Sequence, residues 1–198
     1  MATAADVKIE FRAGVNYEGV IDRTIEFMKR IGFESGNKAM EVSSAARSPY
    51  DQARVMYDNC ANLGKNPKLG VASQYKLYGR NGDHVIDVFV SGTKQKRSKA
   101  QIIADMQAKI VAIGPSKVSK HCVDTTIMNV LDIPFSSITN KKEFRNALKK
   151  YSPYPISRYL DENNNACFHL EFKLADVNNF FDSIELEKGL AKDGFRLA

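Results

Sequence analysis

The segment Cys167-Phe168-His169-Leu170-Glu171-Phe172-Lys173 sets a histidine two residues before a glutamate inside an apolar, aromatic run. Strand side chains alternate between faces. Phe168, Leu170 and Phe172 then share the core face, and Cys167, His169, Glu171 and Lys173 share an open one. On an extended strand the Cα atoms of His169 and Glu171 are about 6.6 Å apart. A histidine beside a carboxylate on an open face suits a metal ligand with an orienting or proton-transferring partner.

A second chemical segment runs Ser119-Lys120-His121-Cys122-Val123-Asp124 and is followed by Met128-Asn129-Val130-Leu131-Asp132-Ile133. Catalytic zinc takes three protein ligands and keeps a fourth position for water, so two histidines and an aspartate would suffice. Asp132 stands out because it interrupts an apolar strand, where a carboxylate needs a partner. Asp124, three residues after His121, is an alternative. So is the pair His84 and Asp87 in Gly82-Asp83-His84-Val85-Ile86-Asp87-Val88-Phe89. A third segment, Ala46-Arg47-Ser48-Pro49 with Gln52, puts an arginine just before a helix, where it could hold a carboxylate or a developing oxyanion.

The elements that must position these residues follow from periodicity and punctuation. Val7–Phe11 alternates as a short strand, and Val20, Thr24, Phe27 and Ile31 form a helical stripe stopping at Gly32. Glu41–Ala45 reads as a strand. Ser48 caps a helix with Pro49 at its first position and Gly64 at its end. Leu69–Tyr78 predicts a helix, Arg80–Asp83 a turn and His84–Val90 a strand. Ser98 opens a long helix to Ile113, stopped by Gly114-Pro115. Val130–Ile133 is a strand, Asn140 with Glu143 caps a helix to Lys150, and Pro153 and Pro155 mark a loop. A helix from Asp176 to about Ser183 precedes a tail. Strands and helices mix without βαβ regularity, which predicts an α+β fold.

Taken together, the three chemical segments resemble the D-Ala-D-Ala metallopeptidase superfamily. It includes D-alanyl-D-alanine carboxypeptidases, L-alanyl-D-glutamate endolysins and the Hedgehog signalling domain. Its stretches Y-R-S/T-P-x-x-Q, S-x-H-x-x-G-x-A-x-D and E/D-x-x-H-x-E are similar to Arg47-Ser48-Pro49 with Gln52, to Ser119-x-His121 with a later Asp, and to Phe168-His169-Leu170-Glu171, in the same order. The resemblance implies a Hedgehog/DD-peptidase-like α+β fold with a small central antiparallel sheet and flanking helices. It implies a single domain over 1–198, with a peptidase-like core over about residues 18–175 and a C-terminal helix and tail over 176–198.

The resemblance further implies Zn2+ held by His121, Asp132 and His169, Arg47 stabilising the tetrahedral species, and Ser119 and Gln52 near the substrate. Glu171 falls two places after the last ligand and takes the remaining catalytic role. The implied reaction is hydrolysis of a peptide bond in peptidoglycan stem peptides, as by an endolysin or a cell-wall effector. Two departures qualify it. His121 and Asp132 are eleven apart where the family has seven, and the family general base falls at Ala166. Glu171, Asp161 or Glu162 could replace that base; without one, the chain would be an inactive domain of the same fold serving as a binding or structural module.

Composition narrows the partners. The chain has 198 residues, a net charge of +6 and no Trp, which favours an anionic partner. The clusters Lys94, Lys96, Arg97, Lys99 and Lys141, Lys142, Lys149, Lys150 lack the aromatic interleaving of a single-strand binder, so nucleic acid is not expected and the cell-wall polymer is. Cys60, Cys122 and Cys167 are too few and too scattered for a disulfide framework. No apolar run approaches the ~20 residues of a membrane span. Met1–Phe11 lacks a signal-peptide core. The expectation is a cytoplasmic product that acts at the cell wall or periplasm after lysis or delivery.

Overall fold

The computed structural model describes residues 3–163 and 165–192. In chain order the elements are β1 (Lys8–Phe11), α1 (Asp22–Glu34), β2 (Ala39–Val42), α2 (Pro49–Ala61), α3 (Val71–Leu77), α4 (Arg80–Lys94) and α5 (Lys99–Ile113). Then come α6 (Pro115–Val118), β3 (Met128–Pro134), α7 (Lys141–Lys150), β4 (Ile156–Glu162), β5 (Cys167–Lys173) and α8 (Leu174–Lys192). The architecture is mixed α+β. The chain forms two compact units, one from residues up to 45 together with those from 125 onward, the other from residues 46–124.

The first unit holds all five strands found among the described residues. β3, β5 and β4 make an antiparallel sheet with β5 in the centre, and β1 pairs with β2 in parallel. A parallel pair needs a crossover, and α1 supplies it. Its apolar positions Thr24, Phe27, Met28 and Ile31 recur at helical spacing and are buried. Gly32 does not stop this helix, which runs on to Glu34. A Cβ at Gly32 would lie 2.7 Å from Val7 Cγ1 and 3.0 Å from the Asn37 carbonyl, so the glycine is where α1 approaches the neighbouring backbone. The core closes with Phe27 edge-on to Phe172 and Phe180, and with Phe144 of α7 against Phe168. Asn140 caps α7, its Oδ1 accepting from the Glu143 amide as the sequence predicts.

Three further expectations change in this unit. The strand expected over Glu41–Ala45 lies at Ala39–Val42, and Ser44 makes a single bridge to Asp132. Residues 156–162, not anticipated as a strand, form β4. The last helix does not end near Ser183; it runs from Leu174 to Lys192, anchored by Val177 in the core, by Phe180 and by the Arg23–Asp182 ion pair. The part of the expected tail over 193–198 lies outside the described residues.

The second unit is helical in its regular structure. Ser48 caps α2 by accepting from the Asp51 amide, with Pro49 at the first position. Ser98 and Gln101 form the capping box of α5. The strand expected over His84–Val90 is instead the middle of α4. β-branched residues favour a strand only where alternate positions face a core. Here Val85, Ile86, Phe89 and Gly92 are the buried set, which is helical spacing. A Cβ on Gly92 would fall 2.6 Å from Ile102 Cγ1, so α4 and α5 cross closely there. Their contact with α2 buries Met56, Ile86, Met106 and Ile110.

Candidate metal centre

The sheet register decides which side chains of the first unit meet. Asp132 lies directly opposite His169 in the β3–β5 pair, and Val130 lies opposite Glu171. On the other edge, Glu162 faces Cys167, Leu160 faces His169 and Arg158 faces Glu171. Directly opposed residues share a face. One face therefore carries Asp132, His169, Glu171, Cys167 and Glu162. Asp132 is tied from its other side as well: its amide donates to the Ser44 carbonyl and its carbonyl accepts from the Ser43 amide, both at 2.9 Å.

This face is not the open one expected. Asp132, His169 and Glu171 are only 7%, 6% and 5% exposed. A central strand has neighbours along both edges, and here only Lys173 of β5 reaches solvent. Buried charge must be paired, and it is. His169 Nδ1 sits 2.9 Å from Asp132 Oδ1 and 4.0 Å from Glu162 Oε1, and its Nε2 is 3.5 Å from Glu171 Oε1. Burial alone would lower the imidazole pKa, but hydrogen bonds with Asp132 and Glu171 and the charge of Glu162 lift it to about 9. A bound cation would take the place of that proton among the same acceptors.

Asp132, Glu162 and Cys167 also bring their ligand atoms within 4.8 Å of one another. Glu162 Oε2 accepts from Asn165 Nδ2 at 2.7 Å and lies 3.9 Å from Cys167 Sγ. Asp161 leaves this group. It faces the opposite side of the sheet, where Arg145 Nε donates to its Oδ2 at 2.6 Å.

The second unit carries the other residues singled out from sequence. The Arg47 amide donates to the His121 carbonyl at 2.8 Å, joining the start of α2 to the 3-10 turn Lys120–Cys122. Ser119 caps that turn, its Oγ accepting from the His121 amide at 3.3 Å. Arg47 Nη1 donates to Gln52 Oε1, and the buried Gln52 donates in turn to the Tyr78 hydroxyl at 2.9 Å. Gln52 and Ser119 thus hold Arg47 and the His121 backbone in place. Tyr78 was not singled out; only its place at the end of a helix marked it.

The competing ligands fare differently. His84 and Asp87 lie one turn apart on α4, half or more exposed, at 3.9 Å. Asp87 is engaged by the Tyr75 hydroxyl at 2.6 Å. Asp124 is exposed. Burial holds Cys60 up at about 12 and Cys122 at about 11, so both are thiols at neutral pH. Of the ligands the resemblance implies, Asp132 and His169 are buried together in the first unit, and His121 is buried in the second.

Three residues of the basic clusters have local acidic partners. Arg97 pairs with Asp105, Lys99 Nζ lies 2.7 Å from Asp58 and Lys150 Nζ lies 2.8 Å from Glu34. Among the described residues, no helix is long and apolar enough to cross a membrane. Comparison with family models, with curated proteins and with solved structures finds no match for this chain.

Proposed function

We propose that this chain is a zinc-dependent peptidase of the Hedgehog/DD-peptidase type, hydrolysing a peptide bond in peptidoglycan stem peptides. The observation that carries the reading is the buried Asp132–His169 pair at 2.9 Å, opposed across two strands at the positions the sequence pattern marks as ligands. Two imidazoles and one carboxylate are donors that zinc accepts in catalytic sites with an open position. The buried, histidine-centred donor set fits that ion. His121 is the third ligand in this reading, on the strength of the sequence order.

When bound, zinc supplies a polarised carbonyl and a more acidic water. The chain does the rest. Glu171 fixes the ring of His169 from the Nε2 side, which leaves Nδ1 and the neighbouring Asp132 to hold the ion. Arg47, steadied by Gln52, is the cation for the developing oxyanion. Ser119 and Gln52 border the substrate. The net charge of +6 draws the protein to the anionic wall polymer, where it acts after lysis or delivery from the cytoplasm.

The test is metal analysis of protein purified without chelator, paired with release of peptides from purified peptidoglycan. One zinc per chain and peptide release are expected. Protein without zinc would overturn the reading. One observation favours a second reading, a non-catalytic module of the same fold: Ala166, at the family's base position, is a turn residue with φ of 53° and no acid. Full zinc occupancy without peptide release would select that module.

A further inference from the structure

We propose that Glu162 is the proton-transferring carboxylate of this site and that Glu171 is a positioning residue for His169. The inference rests on the zinc-peptidase reading and deepens it. Three carboxylates share the site face, and their geometry divides the work. Asp132 meets His169 at Nδ1. Glu171 meets the same ring at the opposite nitrogen, Nε2, at 3.5 Å. A carboxylate on the far nitrogen of a ligating histidine orients the ring and fixes its tautomer. It also faces away from whatever the near nitrogen holds.

Glu162 lies on the near side. Its Oε1 is 4.0 Å from His169 Nδ1, and its ligand atom is within 4.8 Å of that of Asp132. Its two oxygens have separate tasks. Oε2 is anchored by the Asn165 side-chain amide at 2.7 Å, which leaves Oε1 directed at the Asp132–His169 pair. The backbone holds it there, because Glu162 ends β4 in register with Cys167 of the central strand. Asp161 is on the other face with Arg145 and drops out. An acid missing at residue 166 is thus replaced across the hairpin by one from the neighbouring strand.

In the step this assigns, the water O–H bond breaks and its proton goes to Glu162 Oε1. The water oxygen bonds to the scissile carbonyl carbon. The C–N bond then breaks, and the proton passes from Glu162 to the leaving amine. One water is consumed, and a carboxylic acid, which then ionises to solvent, and an amine are released.

Glu162→Gln keeps the shape and the acceptor for Asn165, so it isolates the proton role. Zinc content and the absorption spectrum of the cobalt-substituted protein are expected to stay as in wild type. The kcat for peptide release should fall on the order of 10²–10⁴-fold with KM unchanged. Glu162→Asp should recover part of it. Glu171→Ala should do the reverse, weakening zinc affinity by about 10–100-fold. If zinc-loaded Glu162→Gln turns over within about threefold of wild type, or if it loses zinc while Glu171→Ala keeps it, this division of roles is wrong although the peptidase stands. Wild type that binds no zinc and releases no peptide removes both.

Discussion

Two stretches of this chain look alike in composition and end in opposite states. His84–Val90 and Cys167–Lys173 each carry one histidine, one carboxylate and a set of β-branched or aromatic residues. The second is the central strand of a sheet, buried from Cys167 to Phe172. The first is helix, with Val85, Ile86 and Phe89 inside and the His84 and Asp87 side chains 51% and 62% exposed. The difference lies in spacing. In the strand, histidine and carboxylate share a face that register then packs against Asp132. In the helix, they share the solvent side, where a contact at 3.9 Å between exposed side chains contributes little. The same residue types are buried as a cluster only where the backbone takes them out of water together.

The largest effect should come from the strand histidine. His169→Ala is expected to lose zinc and to lower peptide release by more than about 100-fold, beyond what loss of an orienting partner costs. Elemental analysis and turnover on purified peptidoglycan check it. Retained zinc would mean that the strand is not the metal-bearing segment and that the contrast with α4 has no functional content.

Packing is where the two stretches should behave alike. Phe168→Ala and Phe89→Ala each truncate a buried aromatic ring, the first against Phe135 and Phe144, the second against Tyr57. Each should cost about 3–5 kcal/mol in urea unfolding. A cost below about 1 kcal/mol at either ring would show that its segment does not carry its unit's core.

A backbone probe separates strand from helix directly. Asp87 is exposed in the interior of α4, so Asp87→Pro removes a helical hydrogen bond and clashes with the preceding turn. About 3 kcal/mol of destabilisation and a loss of helical circular dichroism are expected. A near-neutral result would restore the edge strand that the residue types suggest.

What was legible in the sequence, and what was not, follows from the range of the forces involved. The caps at Ser48, Ser98 and Asn140 were legible because a cap is a bond between residues three apart. β5 was legible because alternation is a property of the strand itself. α4 was misread because Val85, Ile86, Val88 and Val90 favour a strand locally, while its packing on α5 through Gly92 is a long-range fact. β4 escaped because Arg158 and Asp161 are exposed and its other residues are mostly half-buried, so little apolar contrast marks it. Missing β4 left Glu162 as one of three interchangeable acids. Its place beside His169 depends on a hairpin register no local pattern states. Asp132 was marked in the sequence as a carboxylate in an apolar strand, but its place directly opposite His169 became visible only with the β3–β5 register.

The smallest expected effect sharpens the contrast most. His84→Ala should leave zinc content and peptide release at wild-type levels and change stability by less than about 0.5 kcal/mol. The reason is geometric. The His84 ring is in water, its contact with Asp87 is 3.9 Å, and Asp87 already accepts from Tyr75 at 2.6 Å. A double-mutant cycle of His84→Ala with Asp87→Ala should therefore give a coupling no larger than the roughly 0.3–0.5 kcal/mol of an exposed helical pair. A coupling several times larger would mean that an exposed pair one helical turn apart holds its partners as firmly as the buried pair of the sheet. Burial and register would then no longer explain why only one of the two stretches gathers its polar groups into a tightly held cluster.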